Sequence, residues 1–95
     1  MADSHRVERR REDRFKPAQV AIIKVLGVPP GPVMHATVID LSGSGMRLQS
    51  NLPVPCGAAV EVEAIHAVAH GRVARCEPAE DSYELGIQVS TIESK

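Results

Sequence analysis

The chain has 95 residues, a formal net charge of −1 and 24% charged side chains, which allows one domain with one modest core. Its two cysteines, Cys56 and Cys76, are too few for a disulfide-built secreted scaffold and form no C-x-x-C pair, so reduced thiols packed as small apolar groups are expected. The longest strongly apolar stretch, Val20 to Val28, is interrupted by Lys24 and falls far short of the ~20 residues a membrane helix needs, and no apolar run follows the N-terminal basic residues as a secretory signal would require; a soluble, cytoplasmic protein without membrane insertion is expected.

Residues 1–16 hold six basic side chains against four acidic ones and only Val7 and Phe15 as sizeable apolar groups. They read as a leader that is flexible until something orders it, with the folded domain spanning 17–95. That domain holds five basic and eight acidic side chains. An arginine-rich end on a mildly acidic body suits a small anionic ligand better than a long nucleic acid, which needs a basic face on the folded part.

After Pro17, Gln19 to Leu26 is rich in β-branched residues, and Gly27 to Pro32 is a turn signal, G-V-P-P-G-P. Met34 to Leu41 predicts a second strand, Ser42 to Gly45 a turn, and Met46 to Gln49 a short third strand that Asn51 to Gly57 breaks. Val60-Glu61-Val62-Glu63 alternates cleanly, which predicts a strand with one wet face. Residues 67–76 predict a fifth strand; Val68 and Val73 differ in parity, so a bulge is expected near Gly71. Glu77 to Ser82 reads as an acidic hairpin loop and Tyr83 to Val89 as the sixth strand. The tail after Val89 leaves room for a turn of helix at most. Short strands at nearly even spacing predict an all-β fold, a small six-stranded antiparallel barrel whose closure removes exposed edges.

Two motifs carry chemistry. Arg10 and Arg14 make an R-x-x-x-R pair in the leader, although Arg6 and Arg10 have the same spacing. Guanidinium is planar, permanently charged and forked. It grips phosphate through two parallel hydrogen bonds, reads the O6/N7 edge of guanine and stacks on purine faces. The second motif, Asp40-Leu41-Ser42-Gly43-Ser44-Gly45, reads D-x-S-x-x-G and closes an apolar run. Asp40 accepts from a guanine N1–H and N2–H₂ edge, and Ser42, of the same strand parity, donates or accepts. Gly45 allows a positive φ or close backbone approach. On its own the same string is also an Asx or ST turn between strands.

In this order and separation the two motifs resemble the PilZ domain, the bacterial receptor module for cyclic di-GMP. Glu8-Arg9-Arg10-Arg11-Glu12-Asp13-Arg14-Phe15 fits the family's E-R-R-R-x-x-R leader followed by an apolar residue, and this register selects Arg10 and Arg14. Gly71-Arg72-Val73 and Leu85-Gly86-Ile87-Gln88-Val89 agree more weakly; the last strand usually ends in phenylalanine and here ends in Val89, and the C-terminal helix of many members is lacking. The resemblance implies a split-barrel fold and a second-messenger receptor that is not an enzyme and uses no cofactor. Its ligand-binding residues would be Arg9, Arg10, Arg14, Asp40, Ser42 and Gly45. Arg9, just before the pair, would influence whether one ligand or an intercalated pair is held. The output would pass to a downstream effector protein in motility, adhesion, exopolysaccharide production or virulence.

Other constellations are weaker. His66 and His70 are four apart in a segment that reads as strand, and with His35 they form no metal-ligand pattern. Gly43-Ser44-Gly45 is not a G-x-S-x-G elbow, and Asp40 is too close to Ser42 for a hydrolase triad. Glu61 and Glu63 read as solvated charge. Two alternatives stand beside the receptor: a PilZ-like adaptor that binds only protein, and an OB-like barrel for single-stranded nucleic acid. The latter needs aromatic stacking platforms, and the chain has one Tyr, one Phe and no Trp.

Overall fold

A computed structural model describes residues 19–95. Six strands follow one another: β1 (Gln19–Val25), β2 (Val33–Leu41), β3 (Gly45–Ser50), β4 (Ala59–Glu63), β5 (Ala67–Pro78) and β6 (Tyr83–Ser94). All neighbours are antiparallel and the sheet closes in the order β1-β2-β3-β6-β5-β4. The six-stranded all-β barrel expected from the sequence is therefore the observed fold. No helix among the described residues is long and apolar enough to cross a membrane. The sequence expectations for residues 1–16 lie outside the described residues.

Alternation builds the core. Ala21 and Ile23, Met34 and Ala36, Met46 and Leu48, Val60 and Val62, Ala69 and Val73, and Leu85 and Ile87 all point inward and are buried, each pair two or four residues apart as the pleat demands. No aromatic ring stands among these core residues, and three of them are alanines, Ala21, Ala36 and Ala69. The 51–58 connection joins β3 to β4, which lie on opposite sides of the ring. It must therefore cross one end of the barrel, and it seats Val54 in the core at 1% exposure. Gly57, at φ 91°, takes a backbone region that disfavours side chains, and its N–H donates to the Val73 carbonyl at 2.7 Å. Buried Ser50 donates to the Leu52 carbonyl at 2.6 Å, which satisfies it.

Three irregularities interrupt the pairing. The register slips at His70/Gly71, where the sequence predicted a bulge. The extra residue is Ser90 on β6, because His70 faces Thr91 while Gly71 faces Val89. β5 itself keeps its alternation from Ala69 to Val73, and Val68 faces outward. The other two bulges were not expected. Ile39 is unpaired between Val38↔Leu48 and Asp40↔Arg47, and Ala74 between Val73↔Ile87 and Arg75↔Gly86. Each reverses the parity of the rest of its strand. Were Ile39 paired in a regular ladder, Asp40 would share the inward parity of Met34, Ala36 and Val38; were Ala74 paired likewise, Arg75 would follow Val73 inward. Both charged residues instead face out.

Two further expectations are corrected. β6 continues to Ser94 in place of a short tail after Val89, because β5 begins at Ala67 and supplies ladder partners as far as Ala67↔Ser94. Glu61 and Glu63 are not merely solvated: Glu61 pairs with Lys24 at 3.4 Å and His70 at 3.1 Å, and Glu63 with Lys95 at 2.9 Å and Lys24 at 3.8 Å. The hydrogen bond and charge of Lys95, aided by Lys24, hold the Glu63 carboxyl below its usual range. The contribution of this pairing is present at neutral pH and is lost as pH falls through the lowered value. Cys56 is exposed, whereas Cys76 packs partly against the core, and both are free.

A Cβ at Gly71 would lie 2.1 Å from the Gln88 carbonyl oxygen, which is backbone and cannot swing aside. Gly71→Ala is expected to destabilise the barrel by at least ~2 kcal/mol, read from the midpoint of urea unfolding; an unchanged midpoint refutes the close approach. Deleting Ile39 removes the extra residue and leaves Val38↔Leu48 and Asp40↔Arg47 as consecutive pairs of a regular ladder, so Asp40 still points outward. The deletion variant should therefore keep a single cooperative thermal transition; loss of that transition refutes the assignment of Ile39 as the extra residue.

Candidate functional site

The β2–β3 turn and the outer faces of β3, β6 and β5 bound an open cleft of about 430 Å³. Asp40, Ser42 and Gly45, singled out from the sequence, all line it. Arg9, Arg10 and Arg14 lie outside the described residues.

The turn is held by its own polar groups. The Ser42 N–H donates to the Gly45 carbonyl at 2.9 Å, the Ser42 hydroxyl donates to the same oxygen at 3.3 Å, and the Val89 N–H donates to the Ser44 carbonyl at 3.0 Å. This is the local ST turn that such a string forms without any ligand. With its proton committed to Gly45, the Ser42 oxygen faces the cleft as an acceptor. Gly45 does not have a positive φ; among the described residues only Gly27 and Gly57 do. A Cβ at Gly45 would meet the Ile87 carbonyl oxygen and Ser42 Oγ at 3.6 Å, ordinary contact distances. The barrel therefore tolerates a side chain at position 45, and what such a side chain would take is space in the cleft.

One cross-strand row runs across the cleft floor. Asp40 on β2 faces Arg47 on β3, Arg47 faces Gly86 on β6, and Gly86 faces Arg75 on β5. Arg47 bridges two carboxylates, Asp40 at 3.6 Å and Glu84 at 3.1 Å, with all three side chains partly exposed. Pairs so placed contribute little to stability, ~0–1 kcal/mol each, but they hold the Asp40 carboxylate at the cleft edge. The Arg75 guanidinium lies over Gly86: its Nη2 and Nε are 3.6 and 3.7 Å from where a Cβ would stand. Gly86 thus leaves a trough between two guanidinium groups.

Arg47, Arg75 and Gln88 also line the cleft and were missed in the sequence. Arg72 stands opposite Gln88 in the next row, donating to the Gly57 carbonyl at 2.9 Å. These are all the arginines of residues 19–95, and they gather on one face of a domain whose composition is acidic. Arg47 has a faint signal, since a hairpin turning at Ser42–Ser44 brings it back toward Asp40; the Ile39 bulge hides the pairing. Arg75 has none, because its direction depends on the Ala74 bulge.

The histidines of the barrel stand elsewhere: His35, His66 and His70 do not line the cleft, and His70 is engaged by Glu61. Among the described residues, no group of three His, Cys, Asp or Glu side chains is placed to hold a metal ion.

No curated protein matches the chain significantly. The sequence profile of the PilZ domain, however, matches residues 8–95. That span takes in every strand of the barrel, the turn that bears Asp40, Ser42 and Gly45, and the arginine pair before β1, and on this ground the chain belongs to the PilZ domain family.

Proposed function

We propose that this chain is a receptor for cyclic di-GMP, the known ligand of PilZ domains, and that it acts as an adaptor and not as an enzyme. The reading rests on one observation: the acid, the hydroxyl and the glycine of D-x-S-x-x-G share a single outward cleft with two guanidinium groups, Arg47 and Arg75. Its volume of about 430 Å³ falls in the ordinary range for small-molecule sites. Asp40 accepts from the guanine N1–H and N2–H₂ edge, and the Ser42 oxygen accepts beside it. Gly45 keeps the approach open, and Arg47 and Arg75 supply positive charge for phosphate or a stacking face for the base.

The leader, residues 1–16, completes the site. Arg10 and Arg14 close over the nucleotide on the barrel of residues 17–95, and the leader loses its conformational freedom at that moment. Arg9 reaches a second ligand molecule if two stack. Closure changes the surface beside the cleft, and an effector protein reads the change in the cytoplasm. Nucleic-acid binding is disfavoured because Tyr83 packs against the core, and Glu84 and Asp40 interleave with the arginines.

Isothermal titration with cyclic di-GMP tests the reading. Arg10→Ala and Arg14→Ala should each weaken binding by at least ~2 kcal/mol, about 30-fold, as loss of a charge-assisted contact requires, and the stoichiometry reports one ligand or two. Unchanged affinity in both variants sinks the arginine assignment. A wild-type barrel that is folded yet silent toward the nucleotide points to a protein-only adaptor. Gly45→Val offers a separate check: its thermal midpoint should stay close to that of the wild type, while the cleft fills and affinity falls at least tenfold. A midpoint lowered as much as the affinity would make Gly45 structural.

A further inference from the structure

The end of the barrel that Val54 fills is uncharged and stiff. Two connections meet there, residues 26–32 between β1 and β2 and the 51–58 crossing. They adjoin, since the Leu26 N–H donates at 2.9 Å to the carbonyl of Ala59, the residue that follows the crossing. Neither connection holds a charged residue, and together they carry Pro29, Pro30, Pro32, Pro53 and Pro55, five of the chain's seven prolines. Their large apolar side chains stand exposed: Val28 fully, Leu52 at 50% and Leu26 at 43%, with Val33 beside them at 64%. Proline fixes its backbone in advance, so such a surface loses little conformational freedom when it is covered. An apolar patch held in this way marks an interaction site.

One margin of this end is acidic. The β5–β6 hairpin loop abuts the start of the crossing: Ser50 pairs with Tyr83, and Gln49 Nε2 donates to Ser82 Oγ at 3.0 Å. Glu77, Glu80 and Asp81 are exposed there, and residues 76–83 hold no basic side chain. Among the described residues, none of the three carboxylates makes an ion pair. The margin therefore repels nucleic acid and anionic membrane and attracts cationic side chains. The positive groups near this end are already engaged: Lys24 pairs with Glu61 at 3.4 Å, and Arg72 donates to the Gly57 carbonyl at 2.9 Å. A second copy of the chain is a poorer occupant, because an isologous contact sets one surface against itself and offers the acidic loops no uncommitted cation.

We propose that this end docks a partner protein whose contact surface is an apolar ridge flanked by lysine or arginine. The two connections and the hairpin loop present about twenty residues, the lower end of what one side of a standard interface uses. The docking end is also tied to the cleft wall. The Gly57 N–H donates to the Val73 carbonyl, Arg72 reaches the Gly57 carbonyl, and Arg72 faces Gln88, which lines the cleft. The proposal rests on the adaptor half of the proposed function and not on the nucleotide, and its test is run without nucleotide, so the two can fail separately.

A short synthetic peptide of alternating leucine and lysine serves as the probe, with leucine–glutamate and serine–lysine peptides as controls. In protein with labelled methyl groups, the Val28, Val33 and Leu52 resonances should shift saturably with the leucine–lysine peptide and with neither control. Val28→Asp combined with Leu52→Asp should weaken that binding at least tenfold. Glu80→Lys combined with Asp81→Lys should transfer the preference to the leucine–glutamate peptide. All four positions are exposed, so both variants should keep the thermal midpoint of the wild type. Unmoved Val28, Val33 and Leu52 methyls in a folded barrel, or equal binding of the leucine–lysine and leucine–glutamate peptides, overturns the proposal. Shifts confined to Met46 and Ile87 assign the peptide to the cleft and overturn it too. So does a sedimenting dimer that Val28→Asp abolishes, which assigns this end to a second copy.

Discussion

Two bulges decide which side of the barrel wall carries charge. In an unbroken strand the side chain two places after a core residue is again a core residue, so Asp40 follows Val38 inward and Arg75 follows Val73 inward. Neither carboxylate nor guanidinium can be held in an apolar core without large desolvation cost. Ile39 and Ala74 each add one residue to their strand and reverse that parity, and the ladder continues on the other side with the polar group in water. The bulges thus reconcile a continuous hydrophobic core with a charged cleft built from the same strands, a use of bulges beside functional sites that recurs in β proteins.

The electrostatics of the face derive from that reversal. Residues 17–95 are acidic on balance, yet Arg47, Arg72 and Arg75 stand on neighbouring rows of β3 and β5, with β6 between them contributing Gly86 and Gln88. Glycine at position 86 matters for what it lacks: any larger residue would fill the gap between the two guanidinium groups. Asp40 holds Arg47 on one side and Glu84 holds it on the other, so the cationic face is tethered by weak, water-exposed pairs that an incoming anion can exchange at little cost.

Alternation and turn chemistry made the barrel legible. Val60 to Glu63 announces its wet and dry faces, G-V-P-P-G-P marks the β1–β2 connection, and the two prolines after Asn51 mark the crossing. Asp40, Ser42 and Gly45 were legible as a group because eight consecutive residues, Asp40 to Arg47, contain the whole hairpin turn. Arg75 was not, since it enters the cleft through pairing with a strand eleven residues further along and through a bulge that leaves no mark on composition. The extension of β6 to Ser94 was hidden for a related reason: Ser90 to Ser94 is too polar to read as strand, and its conformation comes from the ladder that β5 provides. Val54, isolated among prolines, gave no hint that it would occupy the core.

The strand order also governs how the chain can reach its native state. β3 finds its second neighbour only in β6, through pairs such as Gly45↔Gln88, and β1 is closed by β4, through pairs such as Ile22↔Glu63. Both joins bring together segments roughly forty residues apart, and such non-local pairing slows folding into the millisecond-to-second range typical of β-barrels. A nascent chain that has emerged only as far as β5 lacks the strand that seals the ring and floors the cleft. Until β6 arrives, β3 and β5 carry open backbone edges in a polypeptide whose residues 1–78 hold ten basic and eight acidic side chains, a net charge of only +2, so protection from self-association during synthesis must come from prompt completion more than from electrostatic repulsion.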